Sequence, residues 1–247
     1  MFKNILIITD NLWMANQFEI IIKGLNYSSI NWTYSISPFS NKLNFEQSLN
    51  QNIKIFDLKK STAINEIISN FDLVISIHSK QIFPKKMVDS VKCINVHPGY
   101  NPINRGWYPQ VFAIIKNLPI GATIHEIDNQ LDHGNIIARS FVDKNSFDTS
   151  ETLYNKVIMK EVELMKENIV KIINNTYQII QPETEGELFL KKDFNELCKL
   201  DLNEIMSTRT FINKLRALTH GKFKNAYFID EETGKKIFVK IELKNEN

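Results

Sequence analysis

Three side chains of this sequence have the types and the spacing to act on one carbon: the amide of Asn95, the imidazole of His97 and the carboxylate of Asp132. Asn95 and His97 end the run "KCINVH" (92–97), apolar enough to be a buried strand, and residues two apart on a strand project to one face. Asp132 lies in the later segment "EIDNQLDHGNII" (126–137), in a loop with Gly134 two positions on, from which it can orient His97. This trio suits amide formation. An amine that attacks an activated acyl or formyl carbon must lose a proton, and the carbonyl oxygen gains negative charge. An imidazole is a suitable general base, an amide N–H can donate to the oxyanion, and a carboxylate can hold the imidazole. No Ser or Cys nucleophile stands beside His97, which points to direct transfer without a covalent enzyme intermediate.

The remaining histidines do not form a metal site by spacing, so no metal is expected. His125 falls within a strand and reads as a core or supporting group, whereas His78 and His220 fit a structural or a site-facing role equally. Cys93 and Cys198 lack CxxC spacing and read as two free thiols of a reducing cytoplasm. The 30 basic and 28 acidic side chains leave a net charge of +2, too little to hold the protein on nucleic acid or an anionic membrane. With 247 residues, 43% of them hydrophobic, the chain can bury one large core, and no run is long enough for a signal-peptide core or a membrane span. A cytoplasmic protein without nucleic-acid or membrane partners is expected.

The elements that must position the trio alternate. Strands are expected at 3–9, 32–37, 53–58, 72–78, 92–97, 121–127 and 136–142. Helices are expected at 12–25, ending near Gly24, at 61–70 behind a Ser cap, at 82–90 and at 108–117. A long helix, opened in capping-box manner by Asp148 and Glu151, should run to about Ile173. Such alternation predicts an α/β protein with a doubly wound sheet covered on both faces, in which ligands sit beyond the carboxyl ends of the strands. Asn95 and His97 occupy that place. Polar residues with Pro182 and Gly186 mark 176–206 as a linker between a core at 1–175 and a small C-terminal domain at 207–247. That domain should hold a helix (207–220) and a β-hairpin (225–243) turning at Glu231–Gly234, whose apolar Ile237, Val239 and Leu243 suggest a homodimer contact.

Between residues 74 and 139 the sequence carries Asn-x-His-Pro at a strand end, Arg105-Gly106 in the next loop, then Gly-x-Thr-x-His and Asp-x-Gly. In this it resembles the N10-formyltetrahydrofolate-dependent formyltransferases. The resemblance implies a Rossmann-like formyltransferase core with Asn95, His97 and Asp132 as catalytic residues. It also implies N10-formyltetrahydrofolate as co-substrate, its pterin between the loop of Gln81, Ile82, Phe83 and Pro84 and the loop of Asp128, Gln130 and Leu131. Gly99 and "YNPIN" depart from the family's usual Ser and Leu-Pro run.

The C-terminal "LRALTHGKFKNAYF" (215–228) resembles sugar N-formyltransferases that use dTDP-linked substrates. The implied acceptor is a dTDP-linked amino-dideoxy sugar, dTDP-4-amino-4,6-dideoxyglucose or its 3-amino counterpart, destined for O-antigen or another surface polysaccharide. On that reading Lys80 and Arg105 meet the pyrophosphate, Trp13 and Tyr100 stack on base or sugar, and Arg216 meets phosphate; bracing of its own loop through carbonyls fits Arg105 equally, and a C-terminal carboxylate fits Arg216 equally. Formylation of methionyl-tRNA would call for a longer basic C-terminal domain, and formylation of glycinamide ribonucleotide for a glycine in "TDNLWMAN" (9–16). A non-catalytic nucleotide-binding module is the alternative of another class, but there is no G-x-G-x-x-G after the first strand.

Overall fold

Strand β1 (Asn4–Thr9) is almost wholly buried and apolar, a composition that needs cover on both faces. In the computed structural model, which describes residues 1–25, 27–182 and 184–246, it receives that cover. Ile5 and Ile7 face one hydrophobic cluster, with helices α1 (Leu12–Lys23) and α6 (Ser150–Ile173), while Leu6 and Ile8 face another with α3 (Ser61–Asn70) and α4 (Lys85–Val88). The period of two along the strand thus sets the layers. β2 (Asn31–Ile36), β3 (Lys54–Ile55), β4 (Leu73–Ile77), β5 (Lys92–His97), β7 (Gly121–Glu126) and β8 (Ile136–Phe141) complete a sheet of order β3-β2-β1-β4-β5-β7-β8.

The sheet is mixed where an open parallel sheet is expected. β3, β2, β1, β4 and β5 are parallel, but β7 runs antiparallel to both β5 and β8. The short loop between β7 and β8 cannot carry a crossover helix, so the chain must turn straight back.

Other departures from the sequence reading have local causes. Helix α2 (Lys42–Leu49) was not expected because it buries only Phe45 and Leu49, too few for a visible apolar stripe. β3 is shorter than 53–58 because the Gln81 side chain takes over its pairing, donating to the Phe56 carbonyl and accepting from the Leu58 N–H. Ser61 is not a cap: Lys60 holds that position without a side-chain bond. The capping box of α6 is formed by Thr149 and Thr152 rather than Asp148 and Glu151. Asp148, buried, instead accepts from the Asn145 N–H, the Thr152 hydroxyl and Lys156.

The stretch 176–206, expected as a linker, carries strand β9 (Leu188–Phe189) and helix α7 (Lys191–Cys198). β9 pairs with the short strand β6 (Arg105–Gly106), directly behind the site loop. Phe189 stacks on Phe112 of α5 (Pro109–Ile115) at 4.1 Å, and Phe194 and Cys198 join a third cluster with α5 and α8 (Thr208–Leu218). Phe189→Ala should therefore cost about 3–5 kcal/mol of stability, read as a lower denaturation midpoint at an unchanged m-value. A solvated linker would lose almost nothing.

Helix α8 and the hairpin of β10 (Tyr227–Ile229) and β11 (Lys236–Phe238) complete the chain as expected. The hairpin's apolar residues divide: Val239 packs on the third cluster, whereas Ile237 is exposed.

Candidate active site

Along β5 the side chains alternate between the two layers: Ile94 and Val96 enter the α1/α6 cluster, and Cys93 enters the α3/α4 cluster. Asn95 and His97 share the face of Cys93. Helix α4 spans only four residues, and the loop 79–83 together with the cleft takes its place beyond Cys93. A cavity of about 360 Å³ opens there, within the size range of small-molecule sites.

Asp132 reaches this place through a tight return. A Cβ on Gly134 would lie 1.9 Å from the Glu126 carbonyl oxygen, so only glycine lets the loop close against the end of β7. Asp132 itself has φ of 48°, a left-handed conformation that aspartate tolerates better than most residues. The Asn101 side chain donates to its carbonyl, and Arg105 Nε donates to the neighbouring Leu131 carbonyl.

The three expected catalytic groups meet. Asn95 Nδ2 donates to Asp132 Oδ1 at 3.2 Å, and His97 Nδ1 lies 3.6 Å from Asp132 Oδ2. The Gly106 N–H donates to the same Oδ2 at 3.0 Å. Burial alone would raise the Asp132 carboxyl, but the electrostatic influence of His97, the His125 side chain and the Gly106 amide outweighs it, holding the group well below the usual carboxylate range. A buried carboxylate that favours its ionised form therefore faces two imidazoles.

His125 completes the cluster. Backbone pairing sets it opposite Asn95, and its Nδ1 donates to the Glu126 carbonyl at 2.7 Å. Its Nε2 is then left to accept from Asn95 Nδ2 at 3.2 Å. Both amide hydrogens of Asn95 are thus engaged, one by Asp132 and one by His125. Donation to a substrate oxyanion must exchange one of them.

Of the residues expected to hold folate, Gln81, Ile82, Phe83, Asp128, Gln130 and Leu131 line this cavity, while Pro84 caps α4 and does not. Lys80 lines it too. The other expected nucleotide contacts lie elsewhere. Arg105 is buried and lines a second cavity of about 320 Å³ behind the loop, its Nε turned to Leu131. Arg216 is also buried and braces the start of α6 through the Asn145 and Asp148 carbonyls. Tyr100 stacks on Phe141 under Arg139, and Trp13 is exposed on the first turn of α1, outside the cavity lining.

Trp107 and Tyr108 after the Arg-Gly pair, which sequence reasoning passed over, also form the walls, and so does His78 at the end of β4, for which a structural and a site-facing role stood equal. The signal for His78 was the one that found Asn95, a polar residue at the carboxyl end of a parallel strand. Its Nε2 meets the buried Glu161 at 2.8 Å and its Nδ1 the Tyr154 hydroxyl at 3.3 Å. Among the described residues no group of three or more His, Cys, Asp or Glu is arranged to hold a metal ion.

Comparison with known proteins bears on this geometry. Residues 40–169 match a family model described as formyl transferase, and residues 193–245 match one described as an N-formyltransferase dimerization C-terminal domain. A dTDP-4-amino-4,6-dideoxyglucose formyltransferase of Mycobacterium tuberculosis is 50% identical over 183 residues, 74% of this chain and 78% of that protein. The crystal structure of a 4-N formyltransferase from Francisella tularensis superposes with a TM-score of 0.93 at 45% identity, covering 99% of each chain. WlaRD, a sugar 3N-formyltransferase solved in the presence of dTDP and 5-N-formyl-THF, has a TM-score of 0.68 at 26% identity over 88% of this chain and 79% of its own.

Proposed function

This chain belongs to the formyl transferase family, and on that premise we propose that it moves the formyl group of N10-formyltetrahydrofolate onto the amine of dTDP-4-amino-4,6-dideoxyglucose. The observation that carries the reading is the convergence of Asn95, His97 and Asp132 on a cavity walled by the two loops expected to hold the folate.

In the proposed reaction the sugar nitrogen attacks the formyl carbon, and the carbonyl oxygen becomes an oxyanion. The tetrahedral intermediate then expels N10 of tetrahydrofolate. One proton leaves the amine and one arrives on N10, so a single group can carry it between them. His97 is that group, and Asp132 balances the charge the ring acquires. Asn95 turns an amide hydrogen from the cluster to the oxyanion. The thiol nearest by, Cys93, is pushed up to about 12 by burial and is no nucleophile, in keeping with direct transfer.

The 4-amino position follows the M. tuberculosis relative and the F. tularensis structure, which outrank the 3N enzyme in identity. Lys80 stands in the cavity wall, where an ammonium can meet a phosphate, and Trp13 offers an exposed ring at the start of α1. We place the enzyme in the cytoplasm as a homodimer feeding surface-polysaccharide synthesis. The dimer is supported by the C-terminal match and by exposed Ile237 and Phe238 on the hairpin, and no described helix is long and apolar enough to cross a membrane.

Purified enzyme supplied with N10-formyltetrahydrofolate and equal amounts of the 4-amino and 3-amino dTDP-dideoxyhexoses should formylate the 4-amino sugar at higher kcat/KM, followed by mass spectrometry. Preferential gain of a formyl group by the 3-amino sugar would overturn the assignment.

A further inference from the structure

The loop after β5 holds His97 from the side away from Asp132. His97 Nε2 lies 2.8 Å from the Asn104 carbonyl oxygen, in a buried contact. A carbonyl only accepts, so Nε2 must donate and the ring proton of neutral His97 sits there. Nδ1, 3.6 Å from Asp132 Oδ2, is then the nitrogen left to receive a proton. Asn104 is itself clasped: its Oδ1 accepts from the Tyr100 N–H at 3.0 Å, and its own N–H reaches the Tyr100 carbonyl. The loop is tied further by Thr123, which donates to the Gly99 carbonyl at 2.7 Å and accepts from the Asn101 N–H.

In this structure the contact occupies the space that a side chain at residue 99 would need. A Cβ there would stand 2.5 Å from His97 Nε2 and 2.6 Å from the Asn104 carbonyl oxygen, inside the space of the hydrogen bond. Backbone conformation does not impose the choice, since the positive-φ glycines are Gly106, Gly221 and Gly234. The space around the imidazole does. Gly99 is absent from the cavity lining, and the side chain it lies against is that of His97.

We propose that Gly99 and the Asn104 carbonyl form a positioning device that fixes the proton of His97 on Nε2 and reserves Nδ1, opposite Asp132, for the proton released by the attacking amine. The inference rests on His97 being the proton carrier.

Gly99→Ala should lower kcat by about 10²-fold, the cost of misplacing a catalytic group by roughly 1 Å, while KM for both substrates changes little. Asn104→Ala reaches the same contact by removing the clasp rather than adding a clash, and should likewise reduce kcat with KM preserved. Both variants retaining wild-type kcat would overturn the proposal. Should either fail to fold, nitrogen-15 correlation spectra of the histidine rings in the wild-type enzyme decide the matter without a variant. The neutral His97 ring should carry its proton on Nε2, and a proton on Nδ1 would refute the device even if His97→Asn proved inactive. Activity persisting in His97→Asn would instead sink the underlying assignment of the base.

Discussion

His97→Asn should lower turnover by about 10²- to 10⁴-fold, the usual contribution of positioned proton transfer, with the affinity for the dTDP-sugar nearly unchanged. Asparagine keeps the chain polar and short enough for the buried site, but it has no group that titrates near neutrality. The amine proton then has to leave by solvent, which the enclosed position of His97 hinders. Isothermal titration with the dTDP-sugar, beside steady-state rates, separates the two effects. A variant that bound poorly but turned over normally at saturation would show His97 to be a binding residue.

Asp132→Asn should lower kcat by about 10²- to 10⁴-fold, as removal of orienting or electrostatic groups does elsewhere. The substitution is nearly isosteric, yet the amide has no satisfactory orientation. One carboxylate oxygen accepts from Asn95 Nδ2 and the other from the Gly106 N–H, so the new NH₂ must face a donor either way. The loss should therefore appear in stability as well as in rate. Because the folded-state pKa of Asp132 is depressed, its stabilisation is complete above the unfolded value of about 3.9 and declines as pH falls below it. Unfolding midpoints of wild type and variant should differ at pH 7 and draw together progressively below about pH 4. An unchanged gap down to pH 2 would mean that the carboxylate charge is not what Asp132 contributes.

The trio was legible because each signal was local. Strand parity put Asn95 and His97 on one face, and the Asp-x-Gly spacing announced a tight return at Gly134. The alternation of apolar runs with amphipathic stretches likewise gave the layered sheet and the long helix α6. What remained hidden depends on partners distant in sequence. Phe189, Phe194 and Cys198 sit among charged and polar residues, and only the apolar surface of α5 and α8 recruits them into a core. Arg105 and Arg216 carry the charge of phosphate ligands, but each is buried and finds backbone carbonyls brought near by the fold. The service of His125 to Asn95 arises from the antiparallel pairing of β5 with β7, which an expectation of parallel strands could not supply.

A single-turnover experiment with carbon-13 in the formyl group of N10-formyltetrahydrofolate tests the central claim most directly. Wild-type enzyme and dTDP-4-amino-4,6-dideoxyglucose should give a sugar formamide carrying the label, no labelled protein at any quench time, and almost no labelled product with His97→Asn. Label that accumulates on the protein, or that reaches the sugar at an undiminished rate without the His97 imidazole, would contradict direct transfer by these three groups.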